Sequence, residues 1–441
     1  MESQKRIPTG KVKRAAKYLA TGVKVGGNYV NHYTNYALTG RSDKQKLHEK
    51  NAQDIFDSLS ELKGGALKVA QMLSLDSNTL PQEYLQKFAE AQYKTPPLSY
   101  PLVVKTFKKS FKKEPLKIFD HFNKAAVNAA SMGQVHKASK DGIDLAVKIQ
   151  YPGVAESVQS DLKVAALVAK QLLKLNPVEI DHYLQEVQER LLEETDYLHE
   201  LEQSVKLSKL CQEINGVHFP KYYPEWSSQN ILTMEWLSGQ HLNEYLSQDP
   251  DQSSRNRLGQ ALWDFYQFQI HHLNELHADP HPGNFIILEN GDLGIIDFGC
   301  TKTLPESFYG TYFQLLDPDS FRIKHKRDKL FIELGFIYPD DTNEERQFFI
   351  DNITQSIELL GKPFYLDEFD FGNTSYFQEI HRMGEVLSKS PMIRQSTKAR
   401  GSKHALYLNR TYFGLYNILH QLKAKIKTRN FIPQASLILS D

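Results

Sequence analysis

His277-Ala-Asp-Pro-His-Pro-Gly-Asn284 runs directly into Phe285-Ile-Ile-Leu-Glu-Asn-Gly-Asp-Leu-Gly-Ile-Ile-Asp297-Phe-Gly299. Phe285 to Leu288 and Leu293 to Ile296 are two apolar runs, and the Asn290-Gly291 pair between them is a strong signal for a tight hairpin. A hairpin brings its outer ends together. Asn284 therefore lies just before one strand and Asp297 just after its antiparallel neighbour, in a pair whose strands run roughly 5 Å apart. Two oxygen ligands that close suit one Mg²⁺, which keeps several waters and takes the rest of its shell from phosphates.

A lone D-F-G or a lone H-x-D would read as an ordinary polar hairpin with a Pro-rich entry loop. Here the two occur together, with five positions from Asp279 to Asn284 and thirteen from Asn284 to Asp297, as in kinase catalytic and metal-binding loops. In that scheme Asp279 orients the attacking hydroxyl or water, while Asn284 and Asp297 hold metal. Ala278 stands where H-R-D carries Arg, and no A-P-E follows Gly299. The usual partner of a phosphorylated activation loop is therefore missing, and regulation by such phosphorylation is not expected.

A site of this kind needs a cation for the nucleotide phosphates, and the candidate is Lys148 in Leu145-Ala-Val-Lys-Ile149. Strand alternation puts Leu145, Val147 and Ile149 on one face, with Ala146 and Lys148 on the other. By itself Lys148 would be an ordinary snorkelling lysine; the downstream Asp279, Asn284 and Asp297 favour a phosphate contact. Asp141-Gly142 marks a turn back to Gly133-Gln-Val-His-Lys137, so the loop before Gly133 overhangs the neighbourhood of Lys148. That loop is Asn128-Ala-Ala-Ser-Met-Gly133, where a protein kinase carries G-x-G-x-x-G. Ala129, Ala130 and Ser131 are expected to cover the nucleotide, with phosphate geometry altered because alanine restricts the backbone freedom that glycine allows.

The ordered set of motifs resembles the UbiB/AarF-domain atypical kinases, which include the mitochondrial coenzyme Q kinases. That family carries A-A-A-S-I-G-Q-V-H, V-A-V-K, E-x-D-Y-x-x-E-A, D-P-H-P-G-N, D-F-G and an N-terminal K-x-G-Q. This chain shows Asn128-Ala-Ala-Ser-Met-Gly-Gln-Val-His136, Leu145-Ala-Val-Lys148, Glu194-Thr-Asp-Tyr-Leu-His-Glu-Leu201 and Lys68-Val-Ala-Gln71. Aminoglycoside and choline phosphotransferases share D-P-H-P-G-N with D-F-G, but not the Lys68/Gln71 and Ala-rich motifs. Ala70 replaces the glycine of K-x-G-Q, and Asn128 replaces the first alanine of the loop.

The resemblance implies an α+β, two-lobed protein-kinase-like fold with a helical N-terminal extension and a helical C-terminal region. It implies ATP and Mg²⁺ as cofactors, and a helix carrying Lys68 and Gln71, one turn apart on a common face, that folds across the acceptor side of the site. Glu194, Asp196 and Glu200 read as one acidic helix; the family pattern assigns Glu200 to Lys148, and Glu194 with Asp196 to the Lys68 region. Ile231-Leu-Thr-Met-Glu-Trp-Leu237 reads as a buried strand whose backbone from Glu235 to Leu237 would bond adenine. The expected divisions are a basic arm at 1–45, the Lys68/Gln71 extension at 46–115, an N-lobe at 116–237 and a C-lobe at 238–441. Such a protein would hydrolyse ATP or transfer phosphate to a small or lipid-like acceptor, in support of isoprenoid quinone biosynthesis or lipid homeostasis. The competing reading is a nucleotide-gated scaffold that binds a lipid or partner with little turnover.

Composition agrees with a globular domain of this size: 441 residues, 40% hydrophobic and 24% charged. Lys+Arg and Asp+Glu each total 53, so no global charge points to nucleic acid. Cys211 and Cys300 lie far apart without metal spacing, which fits a reducing cytoplasm. No signal-peptide core and no membrane-spanning apolar run is visible. Residues 1–50 are basic, with Lys11, Lys13, Arg14, Lys17 and Lys24 followed by Tyr29, Tyr33 and Tyr36. That segment is expected to be an exposed helix or arm, with peripheral, salt-sensitive attachment to an anionic membrane as its candidate interaction. Pro97 and Pro101 are expected to mark a break, and Lys105 to Lys113 a basic patch.

Overall fold

The computed structural model describes residues 11–39, 44–62, 64, 65, 67, 83, 84, 87, 97–129, 132–172, 188, 191–394, 396, 398 and 400–429. The chain divides into two compact units, one of residues Met1–Glu202 and Lys221–Trp236, the other of Gln203–Pro220 and Leu237–Asp441. The boundary at Trp236/Leu237 falls at the end of the apolar strand read from the sequence.

Unit 1 is built on an antiparallel sheet in the order β1 (His121–Phe122), β3 (Gly133–Lys140), β4 (Ile143–Gln150), β6 (Ile231–Glu235), with β2 (Asn128–Ala129) also on β3. Asp141 and Gly142 take φ of 52° and 77°, the double positive turn that matches strand twist in a two-residue hairpin. Its register sets Gly133 opposite Gln150 and Val135 opposite Lys148. Leu145, Val147 and Ile149 are fully buried as the alternation requires. They pack with Val103 and Phe107 of helix α3 (Tyr100–Phe111) and with Phe119, Phe122 and Ile231. The lysine-rich stretch from 105 is thus the solvated side of an amphipathic helix rather than a mere basic patch. Pro101 sits in its first turn, where a missing N–H costs nothing, so it starts the helix.

The N-terminal segment is likewise more integrated than an exposed arm. Helix α1 (Lys11–Thr39) runs antiparallel to α2 (Lys44–Leu62), as the pairings Lys17 to Glu61, Thr21 to Ser58 and Asn28 to Asn51 show. Arg14 is buried, with a 2.5 Å ion pair to Asp161 of α4 (Val154–Leu172) and a 2.7 Å bond to the Leu62 carbonyl. Helix α5 (Tyr197–Leu210) begins only after Asp196, whose Oδ1 accepts from the Leu198 and His199 N–H groups. Glu194 and Thr195 form a turn before it, so Glu194, Asp196 and Glu200 are not on one helix as the sequence suggested. The capping carboxylate ends one helical segment and starts the next.

Unit 2 holds a sheet ordered β5 (Val217–His218), β10 (Leu293–Ile295), β9 (Phe285–Leu288), β7 (Gly239–His241), and a separate pair of β8 (Glu275–His277) with β11 (Thr301–Thr303). The expected hairpin is β9/β10, with Ile295 opposite Phe285 and Gly291 at φ 80°. Around it lie helices α6 (Leu242–Leu246), α7 (Gln252–Phe268), α8 (Glu306–Phe313), α9 (Pro318–Arg322), α10 (Lys324–Glu333), α11 (Asn343–Leu360), α12 (Lys362–Tyr365), α13 (Thr374–Lys389), α14 (Pro391–Arg394) and α15 (Lys403–Leu422). The buried faces of α7 and α15, including Leu262, Trp263, Tyr266, Leu415 and Tyr416, form one core with Phe285, Ile287 and Ile295 of the hairpin. A short pair of β12 (Glu368–Asp370) and β13 (Lys425–Lys427) closes the unit.

Candidate active site

In unit 2 the hairpin carries the candidate residues Asn284 and Asp297 at one end. The Ile296 N–H donates to the Asn284 carbonyl at 3.1 Å, extending the β9/β10 register by one step, so Asp297 follows directly beyond the residue facing Asn284. Asn284 Nδ2 donates to the Asp279 carbonyl at 2.9 Å and to Asp279 Oδ2 at 3.3 Å. These bonds fix the carboxamide with its oxygen, the atom that ligates a cation, on the other side. Asp297 Oδ1 accepts from the Gly299 N–H at 2.8 Å. The donor set is hard oxygen, and among the described residues no cluster of three or more His, Cys, Asp and Glu side chains competes for a softer metal. Such a set fits Mg²⁺, which needs few protein ligands.

Buried polar groups support this end of the hairpin. His277 Nε2 lies 2.6 Å from the Asp297 carbonyl and therefore donates to it; Nδ1 meets the Tyr266 hydroxyl at 3.1 Å. Burial, then the charge of Asp279, pushes the Tyr266 phenol well above its ordinary value, so it stays a neutral hydrogen-bonding group. The Ala278 N–H donates to the Cys300 carbonyl, and Thr301 pairs with His277 in β11/β8. After Gly299 the chain enters this strand within two residues, and α8 begins at Glu306, three residues after the strand ends.

In unit 1, Lys148 Nζ lies 2.6 Å from Glu200 Oε1, and Glu200 is almost fully buried. The same Nζ stands 5.1 Å from the centre of the Tyr197 ring. Of the three acids in the motif, Glu200 is thus the one that meets Lys148. Glu235 ends β6, and its N–H and that of Trp236 are taken by the carbonyls of Lys221 and Asp144; Leu237 opens unit 2. Ala129 belongs to β2 and pairs with Gln134 of β3, beside Asn128, which pairs with Val135. Lys68, Gln71, Ala130 and Ser131 lie outside the described residues.

Two residues outside the motifs as read for chemistry also bear on the site. A methyl at Gly414, inside α15, would lie 2.3 Å from Pro280 Cγ and 3.1 Å from the Pro280 carbonyl, so only glycine lets this helix lie against the Asp279-Pro280 backbone. The one hint in the sequence is a glycine inside an apolar helical pattern, which costs about 1 kcal/mol relative to alanine and implies a packing reason. Tyr197 is the other, visible only as the tyrosine between Asp196 and Glu200.

A mixed α/β fold with this hairpin and a lysine–glutamate pair defines a protein-kinase-like domain. The family model of the ABC1 atypical kinase-like domain matches residues 90–320. The chain is 24% identical over 448 residues to the probable serine/threonine-protein kinase abkA of Dictyostelium discoideum, covering 96% of this chain and 78% of that protein. It is 27% identical over 400 residues to the mitochondrial atypical kinase COQ8 of Schizosaccharomyces pombe, covering 87% and 64% respectively. Among solved structures, the complex of Rv3197 with erythromycin from Mycobacterium tuberculosis matches with a TM-score of 0.60 and 26% identity, over 89% of this chain and 98% of that one. The chain belongs to the ABC1, or UbiB/AarF, family of atypical kinases.

Proposed function

We propose that this protein binds ATP with Mg²⁺ and either hydrolyses it or transfers its terminal phosphoryl group to a small or lipid-like acceptor. The observation that carries the reading is the 2.6 Å Lys148–Glu200 pair in a chain that also holds Asp279, Asn284 and Asp297 on one hairpin. Lys148 would contact phosphates, Asn284 and Asp297 would hold Mg²⁺, and Asp279 would orient the attacking hydroxyl or water. Ala129, Ala130 and Ser131 would cover the nucleotide, and the backbone of Glu235 and Leu237 would meet the adenine. Lys68 and Gln71, with Glu194 and Asp196 as partners, would restrict the acceptor side. A role in isoprenoid quinone biosynthesis or lipid handling follows from likeness to the coenzyme Q kinases. A scaffold that only bound nucleotide would have no use for Asp279, which favours the enzyme over that alternative.

The test is phosphate release from ATP by the purified chain, with and without lipid vesicles and phenolic quinone precursors. Mg²⁺-dependent release is expected. Nucleotide binding without turnover under every condition would overturn the enzyme in favour of the scaffold.

A lipid surface remains part of this reading, with its basis changed. Among the described residues no helix is long and apolar enough to cross a membrane. Arg14, Lys17 and Lys24 of α1 each pair with a carboxylate of α2 or α4, which removes much of the charge expected to meet anionic lipid. The outer side of α1 instead exposes Leu19, Val23, Val30 and Tyr33. Attachment through that face would persist at high salt. Co-sedimentation with vesicles across a salt series distinguishes the two modes: release by salt would restore the electrostatic one.

A further inference from the structure

We propose that Tyr197 is a positioning residue for the nucleotide site, a single buttress under both Lys148 and the base of the alanine-rich loop. The proposal rests on the nucleotide-binding reading above and adds a residue to it. Asp196 caps α5 and so fixes where the helix begins. Tyr197 and Glu200, three residues apart, then share a face of its first turn. Lys148 Nζ is held by both, by the Glu200 carboxylate at 2.6 Å and by the face of the Tyr197 ring at 5.1 Å. Carboxylate and ring act differently on the ammonium: the first fixes its distance, while the second is an apolar wall that attracts a cation without accepting its protons.

The hydroxyl end of the same tyrosine reaches the loop. A methyl placed on Gly133 would lie 2.6 Å from the Tyr197 hydroxyl and 2.6 Å from the Ile149 carbonyl. Gly133 is an extended residue in β3, so it is not retained for a left-handed backbone. It is retained for space. In a loop whose other glycine positions are occupied by bulkier residues, this one keeps the loop's base seated on Tyr197, one residue along from Gln134 and opposite the end of the strand that carries Lys148. Tyr197 is buried, with 1% of its surface exposed, so a displacement at either the loop or the lysine is transmitted to the other rather than absorbed by solvent.

The experiment is calorimetric titration of the full chain with MgATP and MgADP. Tyr197→Leu should weaken MgATP binding about tenfold, the scale of a desolvated cation–π contact, whereas Tyr197→Phe, which keeps the ring, should stay within about threefold of wild type. Gly133→Ala should weaken binding, and by less when combined with Tyr197→Phe, because one of the two atoms the methyl would meet is gone while the Ile149 carbonyl remains. Rescue by phenylalanine and this non-additivity are not expected of a tyrosine that only supports the fold. Wild-type affinity in Tyr197→Leu, or strictly additive losses in the Gly133→Ala/Tyr197→Phe pair, would overturn the proposal. If Tyr197→Leu fails to fold, the phenylalanine cycle decides. Lys148→Met separates this from the parent reading: loss of binding there with no response at Tyr197 overturns only the buttress, and a wild-type chain that does not bind nucleotide overturns the site itself.

Discussion

The two sets of candidate site residues are assembled in opposite ways. Asp279, Asn284 and Asp297 lie within nineteen consecutive residues, and one hairpin turn puts them together. Gly133, Lys148, Tyr197 and Glu200 come from segments up to 67 positions apart, and meet only because the β3/β4 hairpin and the first turn of α5 pack in unit 1. The first arrangement depends on local backbone geometry and tolerates change elsewhere; the second depends on where a helix starts and on how closely a loop can approach it.

The sharpest way to break this comparison is at the metal side. Asp297→Asn should lower turnover roughly 10³-fold or more and weaken Mg²⁺-dependent nucleotide binding. Asp279→Asn should lose turnover while keeping affinity. Phosphate-release kinetics beside calorimetry check both, and wild-type turnover in the pair would remove the hairpin from the chemistry.

A distant ion pair gives the next largest effect, on stability. Burial pushes the Asp161 carboxyl up and the Arg14 guanidinium opposes that shift. Arg14→Ala would leave Asp161 buried without its cation, a change that costs about 3–5 kcal/mol. Chemical denaturation should show it. A change under 1 kcal/mol, on the scale of surface ion pairs, would mean that α1 is not held through this contact.

Gly414→Ala probes whether the hairpin loop is as self-sufficient as its sequence suggests. Overpacking against Pro280 should destabilise by about 1–3 kcal/mol, offset by up to about 1 kcal/mol of helix propensity. Turnover should fall more than MgATP affinity. Equal losses in both would show that α15 supports the fold of unit 2 rather than the setting of Asp279.

The smallest effect is a pH slope. Burial, then the neighbouring His272, lowers the His271 pKa from 6.5 to about 3, and the neutral ring is bonded to Tyr309 and Gln267. The unfolded chain binds this proton more readily, so stability from His271 is fully present above about pH 6.5 and is lost as pH falls toward 3. The slope within that window is at most about 1.4 kcal/mol per pH unit. His271→Gln should flatten it, as read from denaturation midpoints between pH 7.5 and 4.5. An unchanged slope would place the acid sensitivity elsewhere in the unit.

The sequence by itself determined the β9/β10 hairpin, because Asn290-Gly291 can adopt the turn and the flanking apolar runs have only one buried way to pair. It also determined that Leu145, Val147 and Ile149 form the buried side of β4, since they recur with a period of two, but not that Gln150 at the strand's end is buried as well. The residues alone left three acids as partners for Lys148, and only the family resemblance assigned Glu200; in the packed structure Glu200 meets Lys148, while Asp196 caps α5 and Glu194 lies in the preceding turn. The sequence read α3 as a basic patch, since Lys105, Lys108 and Lys109 hide an apolar face that matters only when a sheet lies beneath it. It read α1 as an arm, since the charge of Arg14 carries no sign of the carboxylate on α4 that buries it. Likewise, Gly414 and Tyr197 became legible only with Pro280 and Gly133 beside them. Local backbone preference is written in neighbouring residues, whereas close approach and burial are properties of surfaces that meet only after the chain has folded.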